Sequence, residues 1–184
     1  MLGAAGCEPG KIDCIHRRGS ETMKVKAKSR YKLDPGAFKP DRTLKANRGW
    51  HKMDVRWMVT DRTMGSEMTV VGRTILPPGI GSKHALHRHR NAEEWEYIIH
   101  GTAIKHVGND TFILRAGELA FIPRNVYHGL ENASENEPLI TLWGYSGAAS
   151  LEKSGYAIPE DDAGRRPAGK KRKAAAKVRG KARK

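Results

Sequence analysis

Between residues 53 and 145 apolar and polar positions alternate with the two-residue period of half-buried strands. Met53, Val55, Trp57 and Val59 interleave with Asp54, Arg56 and Met58, which predicts one strand with the first set inward. A turn at Asp61–Gly65 leads into a β-branched run from Met68 to Leu76, which Pro77, Pro78, Gly79 and Gly81 end. Further strands are predicted over Trp95–Ile99, Thr102–Val107, Thr111–Leu114, Leu119–Ile122 and Leu139–Tyr145. Gly108-Asn109-Asp110 and Gly117 mark corners between them. The only helical stretch predicted is short, near Ser150–Lys153. Many short strands closed by frequent turns argue for an all-β sandwich or barrel.

The net charge of +14 is unevenly spread. Residues 165–184 hold eleven Lys and Arg and no acid, and residues 1–48 hold twelve basic and five acidic residues. The stretch 49–164 has eleven basic and fifteen acidic residues, so the predicted barrel is mildly acidic. The domain organisation expected is a flexible basic arm over 1–48, a barrel over 49–155 and a disordered Lys/Arg/Ala-rich tail over 156–184. The tail has too little apolar surface to offset its chain entropy. Met23 opens a plausible protein start, so residues 1–22 are read either as a real arm or as an upstream translated stretch. Cys7 and Cys14, the only cysteines, make no disulfide framework. With no signal peptide and no apolar run of roughly 18 residues, the expected setting is cytoplasmic, without membrane insertion.

His87 and His89 are two apart, and on a strand such side chains face the same side. Two imidazoles therefore converge if that segment is extended. Glu94 follows five residues on, with Glu93 as the alternative carboxylate, and His128 lies beyond Pro123. Three imidazoles and one carboxylate suit Mn, Fe, Co, Ni, Cu or Zn better than Mg or Ca. The alternation places Glu96 and Ile98 on the face of Glu94, and Trp95, Tyr97 and Ile99 on the other. Glu96 is thus a candidate general acid or base. His84 and His100 are close in sequence to the site and are read either as substrate contacts or, in preference, as solvated loop residues.

These residues sit in a spacing that resembles the two motifs of the cupin superfamily. Gly81, His87, His89, Glu94 and Gly101 match the first, and Gly117, Pro123, His128 and Asn132 the second. Asn125 stands where the second motif has Gly, and Asn tolerates a left-handed turn best after Gly. The resemblance covers residues 66–146 and implies a small double-stranded β-helix, or jelly-roll, barrel. It implies one divalent transition metal per chain, Mn or Fe favoured, held by His87, His89, Glu94 and His128. The run Glu94-Trp95-Glu96-Tyr97 is similar to the oxalate decarboxylase group. That group has an arginine three residues before the first ligand histidine, where this chain has His84. A looser likeness, through Gly101-Thr102-Ala103 and Phe121-Ile122-Pro123, is to the cupin half of bacterial mannose-6-phosphate isomerases.

The function expected is a metal-dependent enzyme, of dioxygenase, decarboxylase or lyase type, acting on a small oxygenated or carboxylated molecule. The alternatives are a sugar isomerase-like cupin or a non-catalytic sugar- or carboxylate-binding sensor. The resemblance also implies a homodimer, through an aromatic row near Trp57, Trp95 and Tyr97.

The tail generates its own prediction. Eleven cations on a flexible segment either serve only to solubilise the protein or contact nucleic acid or another anionic surface without sequence preference, by releasing condensed counterions. With about six phosphates engaged, raising salt from about 50 to about 200 mM should weaken binding on the order of a thousandfold. Truncation after Gly164 should abolish retention on DNA at low salt. Full-length protein that is not retained there would refute the idea.

Overall fold

The computed structural model describes residues 28–163, together with the backbone of two strands in the N-terminal arm. Those two, β1 (Ile12–His16) and β2 (Thr22–Lys26), pair antiparallel. The tail beyond residue 163 and both cysteine side chains lie outside the described residues.

The barrel runs through β3 (Trp50–His51), β4 (Asp54–Val59), β5 (Thr69–Leu76), β6 (Lys83–His89) and β7 (Glu93–His100). It continues through β8 (Thr102–Val107), β9 (Asp110–Arg115), β10 (Leu119–Ile122), β11 (His128–Asn132), β12 (Leu139–Ser146) and β13 (Tyr156–Ala157). One sheet has the order β10-β7-β12-β5-β4, the other β13-β6-β11-β8-β9, with β3 also on β6. This is the double-stranded β-helix expected. No helix among the described residues is long and apolar enough to cross a membrane.

Inward residues of the two sheets meet in two apolar clusters. Leu76, Ile98, Ala103, Leu114, Ile122, Leu130 and Leu139 fill one end. Trp50, Val55, Val70, Trp143 and Tyr145 fill the other. Each fully buried Leu or Ile contributes about 1.5–3 kcal/mol relative to exposure. A Cβ on Gly72 would come within 2.2 Å of the Trp143 ring, so glycine there makes room for that indole.

Four expectations change. In β4 a register shift between Trp57 and Val59 breaks the alternation: Val55 and Met58 are buried, while Val59 is half-buried. An extra residue in one strand turns the side chains beyond it to the other face. Trp57 does not extend an exposed aromatic row. Its ring packs edge-on against Trp143, and its Nε1 donates to Asp41 Oδ2 at 2.9 Å. Residues 150–153 form turns, and the only α-helix among the described residues is α1 (Glu160–Ala163).

The ends of the barrel also extend further than the periodicity indicated. Asp41 N–H donates to Val55 O, which ties residues preceding 49 to β4. On the other side, residues 156–163 strap across β6. β13 pairs with it through Tyr156 opposite His89, Asp161 bonds Arg48, and Asp162 bonds Arg88, Arg90 and Tyr127. The Tyr127 hydroxyl and the two arginines pull the Asp162 carboxyl down to about 2. Such segments escape a reading of periodicity because individual polar bonds, not a repeating apolar face, hold them.

Outside the barrel, Tyr97, Ile99, Leu119 and Phe121 are exposed on the neighbouring strands β7 and β10. β10 is an end strand of its sheet, and Leu119 stands opposite Tyr97.

Candidate metal centre

The two-residue period of β6 turns His87 and His89 inward together. At the start of β11, His128 stands opposite His87 on the adjacent strand. Glu94 comes from the facing sheet, on the inward side of β7. All four are buried, and their ligand atoms lie within 4.8 Å of one another. Asn125 takes φ 66°, so asparagine does make the left-handed corner that leads into His128.

The outer nitrogen of each imidazole is tied off. His87 Nδ1 is 2.8 Å from Ala85 O and His128 Nδ1 is 3.0 Å from Val126 O. A carbonyl oxygen only accepts, so both Nδ1 atoms carry a proton. His89 Nδ1 is 2.8 Å from Ser154 Oγ, whose own proton goes to Leu151 O. Ser154 must therefore accept as well. In each neutral ring this leaves the lone pair on Nε2, facing the centre.

Those lone pairs lack ordinary partners. His87 Nε2 and His89 Nε2 are buried with no hydrogen bond. His89 Nε2 approaches Glu94 Oε2 to 2.8 Å without a hydrogen-bonding direction, and His128 Nε2 is 3.0 Å from the same oxygen. Lone pairs turned toward a carboxylate repel it, unless a cation sits between them or His128 takes a second proton. Burial holds the His87 and His89 pKa values below the ordinary histidine value. For Glu94, burial works upward, but protonated imidazoles at His128 and His89 would outweigh it and hold the carboxyl well below its usual range, a role that a bound cation takes over when the rings are neutral. Neutral imidazoles and an ionised carboxylate are the forms that bind metal. The residues fit a divalent-metal site of three nitrogens and one oxygen.

The neighbours separate the remaining candidates. Glu93 is exposed on the opposite face of β7, so Glu94 is the carboxylate of the cluster. His100 is exposed at the far end of β7. His84 is not a solvated loop residue: its ring stacks on His87 with centroids 3.7 Å apart, and Trp50 lies 3.9 Å from it. Glu96 is buried, and its Oε2 accepts from Lys105 Nζ at 2.6 Å. The interior void beside Glu94 and Glu96, lined also by Thr74, Trp143 and Tyr145, is about 10 Å³.

The sequence reading missed Lys105, Tyr145, Ser154 and Tyr156. The alternation Ala103, Lys105, Val107 on β8 carried a signal for Lys105, and that of β12 for Tyr145. Nothing local marked Tyr156, whose ring centroid lies 5.0 Å from that of His87 and whose hydroxyl donates to Arg48 O and contacts His84 Nε2.

The comparisons with known proteins agree with this fold. Residues 72–145 match the family model of the cupin domain. An uncharacterized protein of Methanocaldococcus jannaschii is 37% identical over 72 residues, 39% of this chain and 55% of that protein. The oxalate-binding protein of Thermotoga maritima is 24% identical over 98 residues, 53% of this chain and 79% of that protein. The crystal structure of a predicted oxalate decarboxylase from Thermotoga maritima superposes with a TM-score of 0.54 at 25% identity, covering 62% of this chain and 97% of that one. At 30% identity and above, this chain spans about half the length of the curated relatives it matches.

Replacing His87 or His128 with Ala should abolish stoichiometric metal binding, and Glu94→Gln should weaken it. Ser154→Ala should cost about 10–100-fold in affinity by freeing the His89 ring. Because burial lowers the pKa values of His87 and His89, proton competition begins below the ordinary histidine value of about 6.5. Metal should be retained at about pH 6 and lost on further acidification. Metal content by mass spectrometry after dialysis checks each outcome. One metal per chain in the His87→Ala/His89→Ala variant would place the ion elsewhere.

Proposed function

From the match of residues 72–145 to the cupin-domain family model, we propose that this protein binds and transforms a small oxygenated or carboxylated molecule at a metal held by His87, His89, Glu94 and His128. The observation that carries this reading is the set of Nε2 lone pairs and the Glu94 carboxylate, buried and facing one point. The oxalate-related names of two relatives support a carboxylated molecule. Mn or Fe is favoured, since decarboxylase or dioxygenase chemistry draws on a redox-capable ion; Zn, Ni, Co and Cu also suit the donors. Such an ion supplies Lewis acidity and, for Mn or Fe, one-electron chemistry.

The chain's own residues supply the rest. Trp50, Trp143 and Tyr145 exclude water from the interior. Glu96 borders the void beside Glu94 and is placed to take or give a proton there. Lys105 holds one Glu96 oxygen, leaving the other for that transfer.

A second reading, a binding or sensor cupin without turnover, is favoured by the closed interior and by the name of the oxalate-binding relative. Metal-loaded protein incubated with oxalate and glycolate, followed by carbon-13 resonance, separates the two. Consumption that requires metal and disappears in His87→Ala/His89→Ala supports the enzyme. A ligand held but unchanged supports the binder, and failure to bind either acid defeats both.

The exposed Tyr97, Ile99, Leu119 and Phe121 suit a homodimer contact, since apolar side chains on an end strand invite pairing. Light scattering at micromolar concentration should give twice the chain mass, and Leu119→Glu/Phe121→Glu should give a monomer. A monomeric native protein would refute this.

A further inference from the structure

The metal ligands are sealed from solvent. His87, His89 and His128 are 1%, 2% and 1% exposed, and the interior void beside Glu94 has about 10 Å³, space for one water at most. A molecule that reaches the centre therefore has to displace a side chain of the wall. Two residues lining that void, Trp50 and His84, also line grooves on the surface.

His84 is fixed in place. Its ring stacks on His87 and on Trp50, with centroids 3.7 and 3.9 Å away, and its Nε2 is 3.2 Å from the Tyr156 hydroxyl. Trp50 is held more loosely. The indoles of Trp57 and Trp143 each donate a hydrogen bond, to Asp41 and Thr74. No side-chain hydrogen bond holds the Trp50 indole among the described residues. Its ring is positioned by stacking on His84 and Tyr156, without a directional bond. The Trp50 backbone, by contrast, is anchored. It pairs with His84 on β6, and Ala85 N–H donates to Gly49 O at 2.8 Å. The motion left open is rotation of the indole, not lifting of β3. On its outer side Trp50 borders, with Thr43, Leu44, Leu151 and Tyr156, a groove of about 370 Å³, which has room for the ring.

Resting on the metal-centre reading above, we propose that Trp50 is the gate of that centre: rotation of its indole into the groove joins the buried ligands to solvent. Closed, the ring is 6% exposed and covers the void that Glu94 borders. Open, it leaves a path from the groove past His84 to Glu94 and the imidazole nitrogens. A broad, rigid ring with two rotatable bonds suits this role, because it seals and opens as one unit.

Azide binding to the Co(II)-loaded protein, followed by visible absorption in a stopped-flow instrument, tests the gate. With the open state populated at about 10% or less, the native rate should level off as azide rises, because opening precedes binding. Trp50→Ala should bind azide about tenfold or more faster, at a rate proportional to azide. Trp50→Leu keeps apolar packing should the alanine variant not fold, and it too should be faster than native. Leu76→Val is the control, since Leu76 lines the same void, is 0% exposed and borders neither groove. It should keep the native rate. Equal rates in native protein and the Trp50 variants overturn the gate. The same acceleration in Leu76→Val overturns it too, by showing a general loosening of the interior. So does a Trp50 variant that holds cobalt and excludes azide. Native protein that takes up no cobalt defeats the underlying metal-centre reading instead.

Discussion

The placement of three protons on the outer nitrogens of His87, His89 and His128 governs the whole site. Two backbone carbonyls and Ser154 accept them, and each neutral ring then has to present its lone pair inward. Three nitrogen donors meeting beside the Glu94 carboxylate, with no protons between them, make a cavity suited to a cation and to little else. The carbonyls of Ala85 and Val126 are each two residues before the histidine they orient, so the strand entering the site also sets its protonation.

The third acceptor comes from far away. Ser154 lies in the turn that follows the last long strand, and the same segment continues into β13, which pairs with the ligand strand. Asp161 and Asp162 then fasten this segment to Arg48, Arg88 and Arg90. This strap lays the Tyr156 ring beside the His84–His87 stack and closes that side of the site. Its fastening is ionic and part-buried, while its consequence, the His89 ring orientation, is fully buried.

Beneath the ligands lies a second polar layer, Glu96 and Lys105, enclosed by the same aromatic and aliphatic side chains that form the core. Ligand layer and ion-pair layer follow from one geometric fact. In a strand, side chains two residues apart share a face, so a barrel wall carrying Glu94 must also direct Glu96 inward. The similarity to oxalate-related cupins concerns the fold and the ligand spacing. The position where the resemblance to the oxalate decarboxylase group would put an arginine is His84 here, stacked on His87, and the buried cation on β8, Lys105, is paired with Glu96.

Alternation and turn residues were enough to read the strands from Thr69 to Ser146, because each strand buries one face and a strand's side-chain period is two. The same period indicated that His87 and His89 face together and that Glu96 points inward. Spacing between glycines favoured Glu94 over Glu93, and the exposure of Glu93 agrees. Tertiary structure alone decided the rest. The bulge in β4 depends on pairing with β5, so Trp57 looked like a surface residue until its partner strand and Asp41 were in place. Ser154, Tyr156, Asp161 and Asp162 reach the barrel through single contacts over long sequence separations, which leave no periodic trace in the chain. The protonated nitrogen of each histidine is likewise invisible in sequence, since it depends on which acceptor the folded backbone brings within about 3 Å.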